Sequence, residues 1–137
     1  MDVFSKDKRS EIMSNISDSN TKPEIIVRSI LHKMGYRFRL HKKNLPGKPD
    51  IVLPKHRKII FVHGCFWHSH ENCRRSKRPS TNTKFWSKKL DSNKKRDKKI
   101  LKQLKDIGWK VLIVWTCEIN KIENLKNKLK MFLNEEV

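Results

Sequence analysis

The chain has 137 residues, of which 33 are lysine or arginine and 14 are aspartate or glutamate, so its formal net charge is +19. This length fits one domain, residues 1–137, with a single hydrophobic core. So large a positive charge indicates a polyanionic partner, with nucleic acid as the first candidate. The absence of an apolar run of about eighteen residues and of an apolar signal segment predicts a cytoplasmic protein without membrane contact.

The N-terminal third of the chain predicts two helices. Residues 5–16 have the apolar spacing of a short helix. Residues 21–24 then have the pattern of a capping box with Pro23 in the first turn, which predicts a helix that extends to about Met34. Gly35 is well placed to end that helix.

Three apolar runs farther along the chain predict strands. Residues 45–49 contain two prolines and form a turn, after which the strand 50–53 begins. The runs 59–62 and 111–115 are continuously apolar, as expected for strands that are covered on both faces. Helical spacing at residues 85–107 and 122–133 completes the pattern. The sequence therefore predicts a layered α/β domain with a mixed central sheet.

Basic residues are concentrated between residues 74 and 105, where fourteen lysines and arginines face only two acids, Asp91 and Asp97. A solvated helix face is one explanation, but such faces usually mix charges of both signs. We therefore predict that this stretch contacts phosphates, because neutralising phosphates releases counterions and strengthens binding. The candidate phosphate contacts are Arg74, Arg75, Lys77, Arg78, Lys84 and Lys88.

The three cysteines and one histidine have a spacing that suits a metal ion. An odd number of cysteines argues against a disulfide framework. Cys65, His70 and Cys73 lie within nine residues, and Cys117 follows the last predicted strand. If that strand is adjacent to the strand 59–62, the four side chains complete a closed Cys₃His shell of the kind that binds structural Zn²⁺. The alternative is three unrelated buried thiols.

Asp50 and His63 are candidates for a second metal site. A carboxylate at the start of a strand beside a basic surface is a natural Mg²⁺ ligand. If strands 50–53 and 59–62 form a hairpin, His63 lies near it. This resembles the PD-(D/E)xK nucleases, except that Phe61 and His63 stand where an acid and a lysine belong. Such a site is either inactive or rebuilt around histidine.

Other polar residues leave two interpretations open. Glu24 serves the capping box, the metal site, or both. His32, His41 and His56 stand among basic or loop residues with no evident partner, which predicts surface histidines.

Several longer motifs resemble the very short patch repair endonucleases, and the resemblance covers nearly the whole chain. These motifs are LPGKPD at residues 45–50, FVHGCFWH at 61–68, TKFW at 83–86, RD at 96–97 and GWKVLIVWTCE at 108–118. The resemblance implies a restriction-endonuclease-like, three-layer α/β/α fold with a structural zinc site. It also implies a Mg²⁺-dependent nick on the 5′ side of the thymine in a T·G mismatch, which arises when 5-methylcytosine deaminates.

The same resemblance assigns roles to residues. Asp50 and the main-chain carbonyl of Val62 would bind Mg²⁺, Glu24 would position metal-bound water, and His63 and His68 would transfer protons. Members of the family commonly carry threonine where Val62 stands, but the valine retains the carbonyl. The zinc ligands would be Cys65, His70, Cys73 and Cys117.

Mismatch recognition would fall to aromatic side chains. Phe66 and Trp67, with Met13 from a DNA-contacting segment at residues 1–20, would wedge into the base stack, and Trp86 would pack beside them. The alternative is that Phe66 and Trp67 are core residues. The implied partner is double-stranded DNA with a T·G mismatch, which a monomer is sufficient to nick. Mismatch-repair proteins and a cognate cytosine methyltransferase are further candidates.

Two rival functions are compatible with the residues. The first is a nuclease of this fold that needs no mismatch. The second is a zinc-stabilised DNA-binding protein without catalysis, which the missing (D/E)xK acid and lysine would explain.

Overall fold

The computed structural model describes residues 21–134. The predicted helix at residues 5–16, the proposed DNA-contacting segment 1–20 and Met13 therefore lie outside the described residues. Three helices and four strands form the framework of the described region: α1 (Lys22–Lys33), β1 (Arg39–Leu40), β2 (Ile51–Leu53), β3 (Lys58–His63), α2 (Thr83–Asp106), β4 (Lys110–Trp115) and α3 (Ile122–Asn134).

The strands form one mixed sheet in the order β1-β2-β3-β4. The pairs β1–β2 and β2–β3 are antiparallel, so β2 and β3 form the predicted hairpin. The pair β3–β4 is parallel and places His63 opposite Trp115. Because parallel neighbours need a crossover, α2 connects the two strands. The predicted mixed α/β sheet is therefore confirmed.

Alternate side chains of the sheet pack against helices on opposite faces. On one face, Ile51 and Ile60 belong to a core that includes Val27 of α1 and Leu129 of α3. On the other face, Val52, Ile59 and Phe61 form a core with Leu104 of α2. The sheet thus lies between two helical layers, which explains why its central strands are apolar on both sides.

The turn before β2 packs closely against α2. Gly47 has a φ of +77°, and a Cβ atom at this position would lie 2.5 Å from Cγ2 of Ile100. Only glycine fits both the left-handed conformation and this approach. The turn that leads into Asp50 is thereby fixed against the helix that carries Asp97.

Sequence periodicity placed most of these elements but not all. It did not predict β1, because two exposed residues show no alternation of apolar and polar side chains. The helix predicted at residues 85–107 is Thr83–Asp106, and Asp50 precedes β2 instead of opening it. Among the described residues, none of the helices has the length and apolar character needed to cross a membrane.

Candidate active site and metal-binding cluster

Asp50 lies at the end of the sheet where β2 begins and β3 ends. Its Oδ2 atom accepts a hydrogen bond from the main-chain N–H of Val62 at 2.8 Å. Burial raises the pKa of the Asp50 carboxyl from 3.8 to about 6, against the lowering effect of the hydrogen bond from Val62. A half-buried carboxylate whose negative charge is poorly solvated is stabilised by a nearby cation, so this position suits a hard metal ion.

Glu24 and His41 lie beside Asp50. Glu24 is 2% exposed, and its main-chain N–H donates to Oγ1 of Thr21 at 3.5 Å, as a helix N-cap requires. Its carboxylate contacts Nε2 of His41 at 2.5 Å and the guanidinium of Arg28 at 3.1 Å. The Glu24 main chain thus serves the cap while its side chain faces the site, so both interpretations of this residue have a structural basis.

The expectation that His41 is a surface histidine without a partner is wrong. Glu24, His41 and Asp50 each offer a potential ligand atom, and these atoms lie within 4.8 Å of one another. This contact was not predictable from the sequence, because His41 follows the exposed strand β1, which periodicity did not predict. His56 also has a neighbour, since its ring lies 5.4 Å from that of Tyr36 in an edge-on arrangement.

His63 and His68 form a stacked pair next to Asp97, which the sequence motifs included without giving it a role. Their ring centroids are 3.8 Å apart and the rings are nearly parallel, at 9°. Nδ1 of His68 lies 2.7 Å from Oδ2 of Asp97 on α2. With Asp97 ionised, Nδ1 donates this hydrogen bond and Nε2 of His68 is left to exchange protons.

His63 is more buried than its partner, with 6% of its surface exposed. Burial, followed by the positive charge of His68, lowers the pKa of His63 from 6.5 to about 4. Its Nδ1 atom is buried and has no hydrogen-bond partner among the described residues. With a pKa of about 4, His63 is a neutral imidazole near pH 7, because a second positive charge on the stacked rings would be repelled at this distance.

The four predicted metal ligands meet in a second cluster. The ligand atoms of Cys65, His70, Cys73 and Cys117 all lie within 4.8 Å of one another. Sγ of Cys117 is 3.5 Å from Nδ1 of His70, which matches the spacing of about 3.5 Å between sulfur and nitrogen ligands of one tetrahedral zinc ion. Cys117 reaches the cluster because β4 is adjacent to β3.

The chemistry of this cluster also fits a cation. Burial, followed by the neighbouring Cys65 and Cys73, raises the pKa of Cys117 to about 12. Crowded sulfur atoms disfavour a further thiolate, and a bound divalent cation reverses that preference because thiolates are its ligands. Oγ1 of Thr116 lies 3.4 Å from Sγ of Cys65 and fixes that ligand to the end of β4.

Trp115 lies between the stacked histidine pair and the cluster of three cysteines and His70. Its ring stacks on His70 at 4.1 Å with an interplanar angle of 8°. The same ring meets His63 edge-on at 5.4 Å. The register that pairs His63 with Trp115 explains the second contact. Trp115 was predicted only as a residue of a strand and of the motif at residues 108–118, and its contacts with both histidines follow from the tertiary structure.

The aromatic side chains proposed for mismatch recognition form a group on the surface. Rings of Phe66 and Trp67 are 5.2 Å apart, and both approach Trp86, at 5.3 and 5.9 Å. Trp67 is 47% exposed and the neighbouring Phe85 is 58% exposed. Such exposure argues against the alternative of purely core aromatics, because large exposed rings that lie together usually mark a binding surface.

Most of the candidate phosphate contacts, in the loop after the cysteine cluster and in the first turns of α2, are exposed. Arg78 differs from the others, because its guanidinium forms an ion pair of 2.7 Å with Asp91 of α2. This exposed pair joins the loop to the helix and contributes little stability by itself. The exposed candidates are Arg74, Arg75, Lys77, Lys84 and Lys88.

The chain is similar to known DNA endonucleases. Residues 1–75 match the family model described as DNA mismatch endonuclease Vsr. The chain is 44% identical to the type II nicking enzyme V.XorIIP of Xanthomonas oryzae, with 97% of each chain covered. It is 41% identical to the DNA mismatch endonuclease Vsr of Escherichia coli, with 93% of this chain and 81% of that protein covered.

A solved structure is also similar to this fold. The catalytic domain of the homing endonuclease I-Bth0305I superposes with a TM-score of 0.54 at 25% sequence identity. The match covers 82% of this chain and 94% of that domain.

Proposed function

Because the chain belongs to the Vsr family of DNA mismatch endonucleases and is thus a nicking endonuclease, we propose that it cuts one strand 5′ of the thymine in a T·G mismatch with Mg²⁺ as cofactor. The observation that carries this proposal is the arrangement of one carboxylate and two imidazoles at the same end of the sheet. Asp50 bonds to the main chain of Val62, and the next residue is His63.

The residues around Asp50 fit a hard cation. When bound, Mg²⁺ would polarise the scissile phosphate and offset its charge. Asp50 uses Oδ2 for the hydrogen bond to Val62 and has a second oxygen for the ion. The Val62 carbonyl is the proposed main-chain ligand, which valine supplies as well as threonine would. Glu24 would orient the attacking water through its carboxylate, which lies within 4.8 Å of a potential ligand atom of Asp50.

The histidines divide the proton chemistry. Asp97 accepts a hydrogen bond from Nδ1–H of His68, so that Nε2 of this ring points away from α2. This arrangement orients the imidazole for proton transfer, as in other sites where a carboxylate fixes a histidine tautomer. His63, neutral because its pKa is about 4, stacks on His68 and can accept a hydrogen bond or a proton but is not a reservoir of positive charge.

Mismatch recognition follows from the exposed aromatic group. Phe66 and Trp67 lie directly after Cys65 and before His70, so a Zn²⁺ ion bound by Cys65, His70, Cys73 and Cys117 would fix both ends of their loop. A T·G pair stacks less well than T·A and is easier to separate. Rings that insert between bases turn this difference into selectivity.

The proposed substrate also suggests which other proteins act with this one. T·G mismatches of this origin appear where a cytosine methyltransferase acts, and mismatch-repair proteins are candidate partners after the nick. Double-stranded DNA attracts the positively charged chain irrespective of sequence. One duplex with one nick requires only a monomer.

A nicking assay on matched T·G, T·A and C·G duplexes, with and without Mg²⁺, tests the proposal. The wild type should nick the T·G duplex only when Mg²⁺ is present. Asp50→Ala should abolish nicking and leave DNA binding almost unchanged, whereas the exposed Asp106→Ala on α2 serves as the control. Equal cutting of T·A would favour a nuclease without mismatch requirement, and intact duplexes throughout would favour a non-catalytic DNA-binding protein.

A further inference from the structure

His41 is the one imidazole in the described region that lies beside both Glu24 and Asp50. The three residues offer ligand atoms within 4.8 Å of one another. A six-coordinate ion with ligand bonds of about 2.1 Å separates opposite ligands by about 4.2 Å. The group is therefore close to the size that one cation requires.

The local backbone directs His41 toward this point. Its N–H donates to the main-chain oxygen of Asp50 at 3.2 Å, which fixes the end of β1 to the start of β2. A left-handed φ of +47° turns the chain at His41. The ring then presents Nε2 to Glu24 at 2.5 Å, with 30% of the His41 side chain exposed to solvent.

The short contact between His41 and Glu24 has two explanations. In the first, His41 is a hydrogen-bond partner that positions the carboxylate. In the second, a cation replaces the proton of this contact, the two atoms separate to the roughly 3 Å expected between neighbouring ligands of a six-coordinate ion, and Nε2 becomes a ligand. The second explanation also accounts for the position of Asp50, because its carboxylate offers a third metal-ligand atom beside those of His41 and Glu24.

We propose that His41 is a nitrogen ligand of the catalytic cation, and that this imidazole makes the site favour Mn²⁺ over Mg²⁺ more strongly than oxygen ligands alone would. This inference rests on the proposed function, because it concerns the same site. Mg²⁺ prefers oxygen ligands, whereas imidazole suits transition metals. Mn²⁺ also binds oxygen ligands well, but as a transition metal it accepts an imidazole nitrogen more readily than Mg²⁺ does, so the added imidazole shifts the preference toward Mn²⁺.

The charges around the site determine when the cation binds. Arg28 contacts the same oxygen of Glu24 at 3.1 Å and repels a divalent ion. His68 also lies within electrostatic reach of Asp50. A DNA phosphate supplies the negative charge that offsets both, so the cation should bind more tightly in the DNA complex than in free protein.

The test compares wild type, His41→Gln and His32→Gln, each bound to nicked T·G product duplex. Glutamine at position 41 keeps a hydrogen bond to Glu24 but removes the imidazole, and exposed His32 on α1 is the matched control. Mn²⁺ affinity is measured by electron paramagnetic resonance, with Mg²⁺ as competitor. Electron spin echo modulation by nitrogen reports a directly bound imidazole.

We expect His41→Gln to weaken Mn²⁺ binding by about tenfold or more, to change Mg²⁺ binding much less, and to abolish the nitrogen modulation, while His32→Gln changes none of them. Equal Mn²⁺ affinity in wild type and His41→Gln, or nitrogen modulation that persists in His41→Gln, would overturn the inference. Failure of the wild type to nick T·G duplex with either cation would instead refute the proposed function.

Discussion

The contact between His68 and Asp97 provides a sharp test of the proton-transfer proposal. Asparagine at position 97 keeps the shape and one hydrogen-bonding oxygen but removes the negative charge. The present contact of 2.7 Å joins side chains that are 25% and 16% exposed. Opposite unit charges about 4 Å apart interact by about 4 kcal/mol at an effective dielectric constant of 20.

Partial exposure reduces that value, and a hydrogen bond to a charged group contributes about 1.5–3 kcal/mol. If this stabilisation is realised when His68 takes up a proton in the transition state, Asp97→Asn should slow the chemical step by roughly 10- to 100-fold. DNA affinity should change little, because Asp97 faces His68 and phosphate contacts come from basic side chains.

Single-turnover nicking of a T·G duplex measures the chemical step, and a gel-shift assay with Ca²⁺ in place of Mg²⁺ measures affinity. Asp91→Asn on the same helix is the control, since Asp91 pairs with Arg78 away from the histidines. A rate for Asp97→Asn within about twofold of wild type would refute the role of this carboxylate. An equal loss in the Asp91 variant would trace the effect to helix α2 as a whole.

Three further predictions address the fold, recognition and metal. Gly47→Ala should reduce the free energy of unfolding in urea by about 1–3 kcal/mol more than Gly35→Ala, because both glycines have positive φ but only a Cβ at position 47 would meet a neighbour, Ile100. Trp67→Ala should reduce selectivity for T·G over T·A by roughly 5- to 100-fold, since one stacked base contributes about 1–3 kcal/mol, and should reduce affinity less. Elemental analysis should find about one zinc per chain in wild type and much less in Cys117→Ser, with a lower melting temperature.

Each of these three predictions would be refuted by a different result. Equal destabilisation by the two glycine variants would show that the approach of Ile100 is unimportant. Unchanged selectivity in Trp67→Ala would remove this ring from mismatch recognition. Zinc below about a tenth of an equivalent in the wild type would rule out the closed Cys₃His shell.

Much of the framework follows from local patterns in the sequence. Continuous apolar runs predicted β2, β3 and β4. In β2 and β3 nearly every position is buried, as strands covered on both faces require. The expectation of full burial is wrong for β4, which is an edge strand of the described sheet and buries only Val114. Helical periodicity predicted α1, α2 and α3 to within a few residues. The cluster of Cys65, His70 and Cys73 was predictable from spacing, and Cys117 joined it through one assumption about adjacent strands.

The contacts that orient the side chains of the candidate site join residues that are far apart in the sequence. Asp97 is separated from His68 by 29 residues and His41 from Glu24 by 17. Trp115 meets both His63 and His70 only because β4 pairs with β3 in one register. Helical spacing indicated which face of α2 is buried, but no local pattern specified which loop its polar residues would meet.

The sequence by itself determined most of the elements, the basic character and the set of candidate ligand residues, since these depend on side-chain type and on separations of a few positions. Tertiary structure alone decided which carboxylate contacts which imidazole. Such pairs depend on how layers pack across the sheet, where a hydrogen bond forms only if two distant segments are brought within about 3 Å. Packing of the apolar core sets the distances between these segments, and the polar residues at the edge of the core are brought into contact as a result.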